Sequence, residues 1–146
     1  MKPPEQVSLM FIRLLRLIAN RRACRLARVE ISTASNTVYL NLEIADSLWR
    51  RALGMMGKTK IHGNDGMIFI YPRPRDVHLW MANTRLSLDA IFVDSTGSIL
   101  KIAHRLQPHS RRMISSEDRV IWVLEIAGCE AMRLGIATGD RVRFST

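Results

Sequence analysis

The sequence predicts an α+β fold, mainly β: an antiparallel meander curled into a small barrel-like sheet with two short helices. Three observations carry this expectation. Short apolar runs recur at spacings of about ten residues, and at least six of them read as strands. Clusters of Gly, Asn, Asp and Pro separate the runs. Strands and helices show no regular alternation, which sets aside a doubly wound parallel sheet. At 146 residues the chain fits one domain with a substantial core.

Residues 1–28 read as a basic amphipathic N-terminal extension and residues 29–146 as a single mixed-β domain. The net charge of +9 lies mainly in the extension. It holds seven Lys/Arg against one acid, leaving fifteen against twelve for the rest. The domain therefore lacks the charge of a nucleic-acid binder, and no specific nucleic-acid partner is expected. Within the extension, Leu9–Ala19 is apolar, with Arg13, Arg16 and Asn20 on one helical face. The run is too short to span a membrane, which takes about twenty apolar residues. Two arginines interrupt it, and no clean cleavage site follows; Arg21-Arg22-Ala23-Cys24 is also a poor lipoprotein box. Three readings stand: a helix on an anionic membrane surface through residues 9–28, a degenerate export signal, and a tail docked or disordered. Membrane surface or cell envelope is the favoured location, with the cytoplasm as the alternative.

The domain opens with a short edge strand at Val29–Ser32. Val38–Ile44 alternates apolar and polar, as a half-buried strand does. Asp46 or Ser47 caps a short helix over Leu48–Met55, closed by Gly54 and Gly57. Met67–Tyr71 is a core strand expected to stop at Pro72. Val77–Met81 and Leu88–Val93 form an expected central pair. Asp94-Ser95-Thr96-Gly97 is a hairpin turn returning into Ser98–Ala103. Residues 104–118 form a long polar loop, Val120–Ile126 a buried strand, Gly128–Leu134 a second short helix and Val142–Phe144 the last strand.

His78–Asp94, HLWMANTRLSLDAIFVD, is the most informative stretch. It reads as strand, polar turn and strand, with Asn83 and Thr84 supplying turn chemistry. Asp89 is an acid inside an otherwise apolar run, and a buried carboxylate needs a partner or a task. One reading has Asp89 accept hydrogen bonds from Asn83, Thr84 or nearby N–H groups. The other has Trp80, Asn83, Thr84 and Asp89 line a cleft for a small polar ligand such as a sugar, with Arg51 and Arg85 supplying positive charge.

Competing motifs are weaker. Ala52–Thr59, ALGMMGKT, fits a relaxed P-loop. That chemistry needs a strand before the loop and a helix after it, and here the order is reversed. His62, His78, His104 and His109 stand at no metal-ligand spacing, and no cofactor motif is present. Cys24 and Cys129 make no CxxC. Ser115 and Ser116 read as turn residues beside Glu117 and Asp118 rather than nucleophiles.

The stretch WMANTRLSLDAIFVDSTG resembles the signature of the bacterial and archaeal family called domain of unknown function 192. Trp80, Met81, Asn83, Thr84, Leu88 and Asp89 match it. Ala82 stands where lysine is usual, and Ser87 where proline is usual. RALGMMGK at 51–58, DGMIFIYP at 65–72 and AMRLGIATGDRV at 131–142 match as well, so the resemblance covers about residues 38–145. It implies a mostly β fold, no established activity, and export for many members. Any mechanism pairing the usual lysine with Asp89 could not operate unchanged here. The reading these observations favour is a non-catalytic binding or accessory domain for a small polar ligand, or for a partner at the cell envelope. The alternative is a hydrolase-like enzyme using Asp89, for which the sequence offers no second catalytic group.

Overall fold

The computed structural model describes residues 8–21 and 24–145. The elements are α1 (Leu9–Arg21), β1 (Leu26–Ser32), β2 (Thr37–Ala45), α2 (Leu48–Leu53), β3 (Asp65–Arg75), β4 (His78–Leu79), β5 (Leu88–Val93), β6 (Ile99–Leu106), β7 (Ile114–Ser115), β8 (Val120–Ala127), α3 (Glu130–Arg133) and β9 (Arg141–Ser145). Seven strands form one curled sheet in the order β6-β5-β8-β3-β2-β1-β9, and β4 and β7 form a separate ribbon. The mainly β, α+β class is as the sequence predicts. The curl brings the two sheet edges together at one end, where Ser98 bridges Arg141 and the Val142 N–H donates to the Gly97 carbonyl at 2.7 Å.

Burial explains the two kinds of strand pattern. β2 alternates because one face is covered and one is wet. All six residues of β5 are buried because both faces are packed. Ile91 and Val93 face the inside of the curl with Val29, Leu40 and Leu124. Ala90 and Phe92 face the other side, where Met55, Phe69, Met81 and Val123 complete a second core. α2 contributes to this second side, starting at Ser47, whose Oγ accepts the Arg50 N–H.

Several expectations are corrected. The β2/β3 pair is parallel, Asn41 opposite Asp65 through Ala45 opposite Phe69, so the sheet is not a pure antiparallel meander. α2 lies in that connection, giving the strand–helix–strand step that short parallel pairs require. β3 continues through Pro72 and Pro74 to Arg75. The register with β8 breaks between Ile70 and Arg75, so the missing proline N–H groups remove no ladder bond there. The expected central pair does not form. β5 has β6 on one flank and β8 on the other, which leaves β4 to pair with β7. The turn between them is real: the Thr84 N–H donates to the Met81 carbonyl at 3.1 Å, and Asn83 takes φ 56°.

The long 104–118 stretch is pinned to this turn. The Met81 N–H donates to the Ser110 carbonyl at 2.9 Å, and the His109 N–H to the Thr84 carbonyl at 2.9 Å. Ser116 is buried, and its Oγ accepts the Val77 N–H at 3.0 Å while donating to the Asp118 carbonyl at 2.6 Å. The sheet begins earlier than expected, at Leu26, and the Ile44 N–H already bonds the Arg25 carbonyl at 2.9 Å. In α1, Ile12 is buried, whereas Leu9, Met10, Phe11, Leu14 and Leu17 are exposed. Among the described residues no helix is long and apolar enough to cross a membrane. Residues 1–7, 22 and 23 of the extension lie outside the described residues.

Candidate functional site

A cleft of about 430 Å³ opens on the second core face, between α2, the overhanging end of β3, the 77–84 segment and the middle of β8. β3 runs past the end of its pairing with β2 at Phe69, and Arg51 of α2 reaches the overhang at Ile70 and Tyr71. Arg51 fixes this contact, donating from Nη1 to the Ile70 carbonyl at 2.8 Å. Its guanidinium sits 5.2 Å from the centre of the Tyr71 ring, and that of Arg75 at 5.9 Å.

Glu125 forms the polar floor. It lies in β8 between Ala90 of β5 and Met67 of β3, on the same face as Val123, and is 6% exposed. Burial pushes its carboxyl up to about 8. Among the described residues no group hydrogen-bonds or ion-pairs with it. Among the described residues no buried side-chain polar atom lacks a partner, so the Glu125 oxygens, which have none, meet the open cleft. Tyr71 is pushed up to about 12, chiefly by burial, with Arg51 opposing and Glu125 reinforcing. The cleft thus combines the Glu125 carboxyl held neutral, the side chains of Asp76 and His78, two cations and the Trp80 ring.

Of the residues the sequence singles out, Arg51, Trp80 and Thr84 line this cleft, and Asn83, Arg85 and Asp89 do not. Asp89 is fully buried and belongs to the opposite sheet face, because it alternates with Ala90 and aligns with Ile91 and Val93. Its Oδ1 accepts the N–H groups of Arg105 at 2.8 Å and Cys129 at 3.2 Å, and its Oδ2 accepts that of Ala131 at 2.9 Å. Neither Asn83 nor Thr84 is a partner. The backbone at Arg105 and Cys129 is left-handed, with φ of 48° and 73°, so the carboxylate holds two strained positions in place. Asn83 instead offers its carbonyl to the Gly57 N–H at 3.3 Å, and Arg85 is exposed. The Thr84 hydroxyl donates to the Ala82 carbonyl at 3.3 Å.

Tyr71, Arg75, Asp76 and Glu125 are polar lining residues that the sequence reading missed. Glu125 carried the same signal as Asp89, an acid inside the apolar run VIWVLEIA. The P-loop geometry is absent. α2 runs into the 52–59 stretch and ends at Leu53, no helix follows before β3, and Lys58 pairs with Glu43 at 2.5 Å.

The family model described as Uncharacterized ACR, domain of unknown function 192, matches residues 29–144. The chain belongs to this family. Among solved structures, a protein of Sinorhizobium meliloti 1021 described as a candidate transcription regulator is 36% identical, with a TM-score of 0.81, covering 83% of this chain and 95% of its own. A protein of unknown function from Novosphingobium aromaticivorans DSM 12444 is 31% identical, with a TM-score of 0.81, covering 84% of this chain and 87% of its own. No curated protein matches. In this member of domain of unknown function 192, the signature residues divide between two tasks. Asp89 ties α3 and the β6 bend to β5, whereas Trp80 and Thr84 shape the cleft.

Proposed function

We propose that this domain is a non-catalytic binding or accessory module that takes a small polar ligand, sugar-like in character, in the cleft above Glu125. The carrying observation is Glu125 itself: a carboxyl in the middle of a core strand, buried, without a side-chain partner among the described residues and facing a cavity. Such a group is costly to keep unless something bonds it. In its neutral form it both donates and accepts, which matches a hydroxyl-bearing ligand. The Trp80 ring offers an apolar face for the ligand body. Binding is favoured over the hydrolase-like alternative because Asp89, the acid that alternative uses, is fully buried, bonded by three backbone N–H groups and not among the residues lining the cleft.

The test is ligand-detected NMR with a panel of monosaccharides and polyols. Saturable binding that weakens in both Trp80→Ala and Glu125→Gln is the expected result. No binding across the panel, or binding indifferent to both substitutions, rejects the reading.

A second reading concerns location, and it rests on α1. Met10, Leu14 and Leu17 recur at helical spacing and are exposed beside the exposed Arg13, an arrangement suited to an anionic membrane surface at the cell envelope.

A further inference from the structure

We infer that the cleft continues into an oxyanion subsite formed by Arg51, Arg73, Arg75 and Arg119, so that the preferred ligand carries a phosphate or carboxylate ahead of a neutral hydroxylated body. This inference rests on the cleft reading above and narrows it to a sugar phosphate or sugar acid.

Beyond Tyr71 the surface opens into a second concavity of about 530 Å³, lined by these four arginines with Asp76 as its single acid. Arg51, Arg75 and Asp76 belong to both cavities, so the two are continuous. The cations converge from separate parts of the chain. Arg51 comes from α2, Arg73 and Arg75 from the end of β3, and Arg119 from the residue before β8. A merely solvated arginine face has no need for such convergence.

None of the four has a carboxylate partner among the described residues, where the ion pairs belong to Arg25, Lys58, Lys101 and Arg133. Carbonyl groups engage three of them instead. Arg51 bonds the Ile70 carbonyl at 2.8 Å, Arg119 the Pro74 carbonyl at 2.9 Å and Arg75 the Asp76 carbonyl at 3.5 Å. A guanidinium has about five N–H donors, so each keeps most of its donors for a ligand. Pro72 and Pro74 alternate with the arginines of β3 and stiffen the backbone that carries them. Planar guanidinium forks suit the paired oxygens of phosphate or carboxylate. Burial also keeps the Glu125 carboxyl from opposing an anion nearby.

The experiment uses the full chain and titrates it with inorganic phosphate, glucose and glucose 6-phosphate, followed by protein NMR and calorimetry. The expected result is that glucose 6-phosphate binds roughly tenfold or more tightly than glucose, as charge-assisted bonds to two arginines would give. The Arg73→Gln/Arg119→Gln double variant should abolish that difference. Glucose binding with no gain from the phosphate and no vesicle binding that depends on Arg73 and Arg119, or a gain that survives the double variant, overturns the oxyanion subsite while leaving the cleft reading intact. Inorganic phosphate binding that depends on Arg73 and Arg119, with no sugar binding at all, supports the subsite and rejects the sugar-like occupant. Vesicles of phosphatidylcholine with phosphatidic acid form the last arm. If the double variant loses vesicle binding while glucose 6-phosphate shows no advantage over glucose, the anion is a lipid headgroup and the small-molecule assignment falls.

Discussion

The Asp89 carboxylate accepts the backbone N–H of Ala131 at 2.9 Å, joining β5 to the first turn of α3 across 42 residues of chain. The same carboxylate holds the left-handed residues Arg105 and Cys129. Removing it orphans three N–H donors and frees two strained backbone positions. Asp89→Ala is therefore expected to destabilise the fold by about 1–3 kcal/mol, the usual cost of leaving buried polar groups unpaired. The urea denaturation midpoint measures this. An unchanged midpoint would remove Asp89 from the framework. Glucose or phosphate binding by the refolded variant should persist, since Asp89 faces away from the cleft.

Glu125 gives the fold a pH dependence of definite sign. Its folded pKa of about 8 lies above the ordinary 4.5, so the folded state holds the proton more tightly than the unfolded chain does. The associated stability is fully present below about pH 4.5 and is lost as pH rises through 8. Glu125→Gln removes the dependence. At pH 9 the variant should be more stable than the wild type by roughly 3–5 kcal/mol, at about 1.4 kcal/mol for each unit of pKa displacement. Paired denaturation curves from pH 5 to pH 9 are the check, and parallel curves for the two proteins would contradict it.

Local chemistry was legible in the chain, and long-range pairing was not. The Asp94–Gly97 hairpin is where the turn residues place it, with the Asp94 N–H bonding the Ser98 carbonyl at 3.0 Å. The turn at Met81–Thr84 is likewise present, but its flanks do not pair with each other. The Asp94–Gly97 hairpin makes β6 one neighbour of β5, but nothing local reveals that β8 is the other. An acid in an apolar strand marked Asp89 as needing partners, yet these come from residues 16, 40 and 42 positions away. Glu125 carried the same mark without turn residues beside it, and only the stacking of α2 and the 77–84 segment over β8 makes it a cleft floor. Within the apolar stretch Leu9–Ala19, Ile12 is buried and Leu15 half-buried, so the free apolar side lies along Met10, Leu14 and Leu17. In the same stretch Leu9 and Phe11 are exposed, and the side chain of Ile18 lies outside the described residues.

Deleting residues 1–23 should weaken the domain without unfolding it. Ile12 is 1% exposed, and withdrawing an isoleucine from its buried site forfeits about 1.5–3 kcal/mol. The sheet begins at Leu26, and the Arg25 carbonyl that bonds Ile44 is retained. A single cooperative transition at a lower midpoint is the expected result. Loss of the transition would make α1 an integral part of the core rather than an extension packed on it.

The basic extension should carry the protein to anionic membranes. Seven cations lie in residues 1–28. Each Lys or Arg near an anionic surface contributes about 1 kcal/mol of attraction. Charge alone is screened at physiological salt, so an apolar contribution is also needed. Leu9, Met10, Phe11, Leu14 and Leu17 are exposed and free to enter the headgroup boundary while Ile12 keeps α1 on the domain. Full-length protein is expected to sediment with phosphatidylserine-containing vesicles, and the 24–146 fragment is not. Replacing Arg13, Arg16, Arg21 and Arg22 with Gln should weaken binding and flatten its dependence on salt. Replacing Met10, Leu14 and Leu17 with Ser should weaken it at every salt concentration, which separates the two contributions. Equal sedimentation of both chain lengths, or none with either, would remove the membrane-surface reading. A mature N-terminus beyond residue 19, found by mass spectrometry of the protein from cells, would make the segment an export signal, since the exposed apolar stripe of α1 would then be absent from the working molecule.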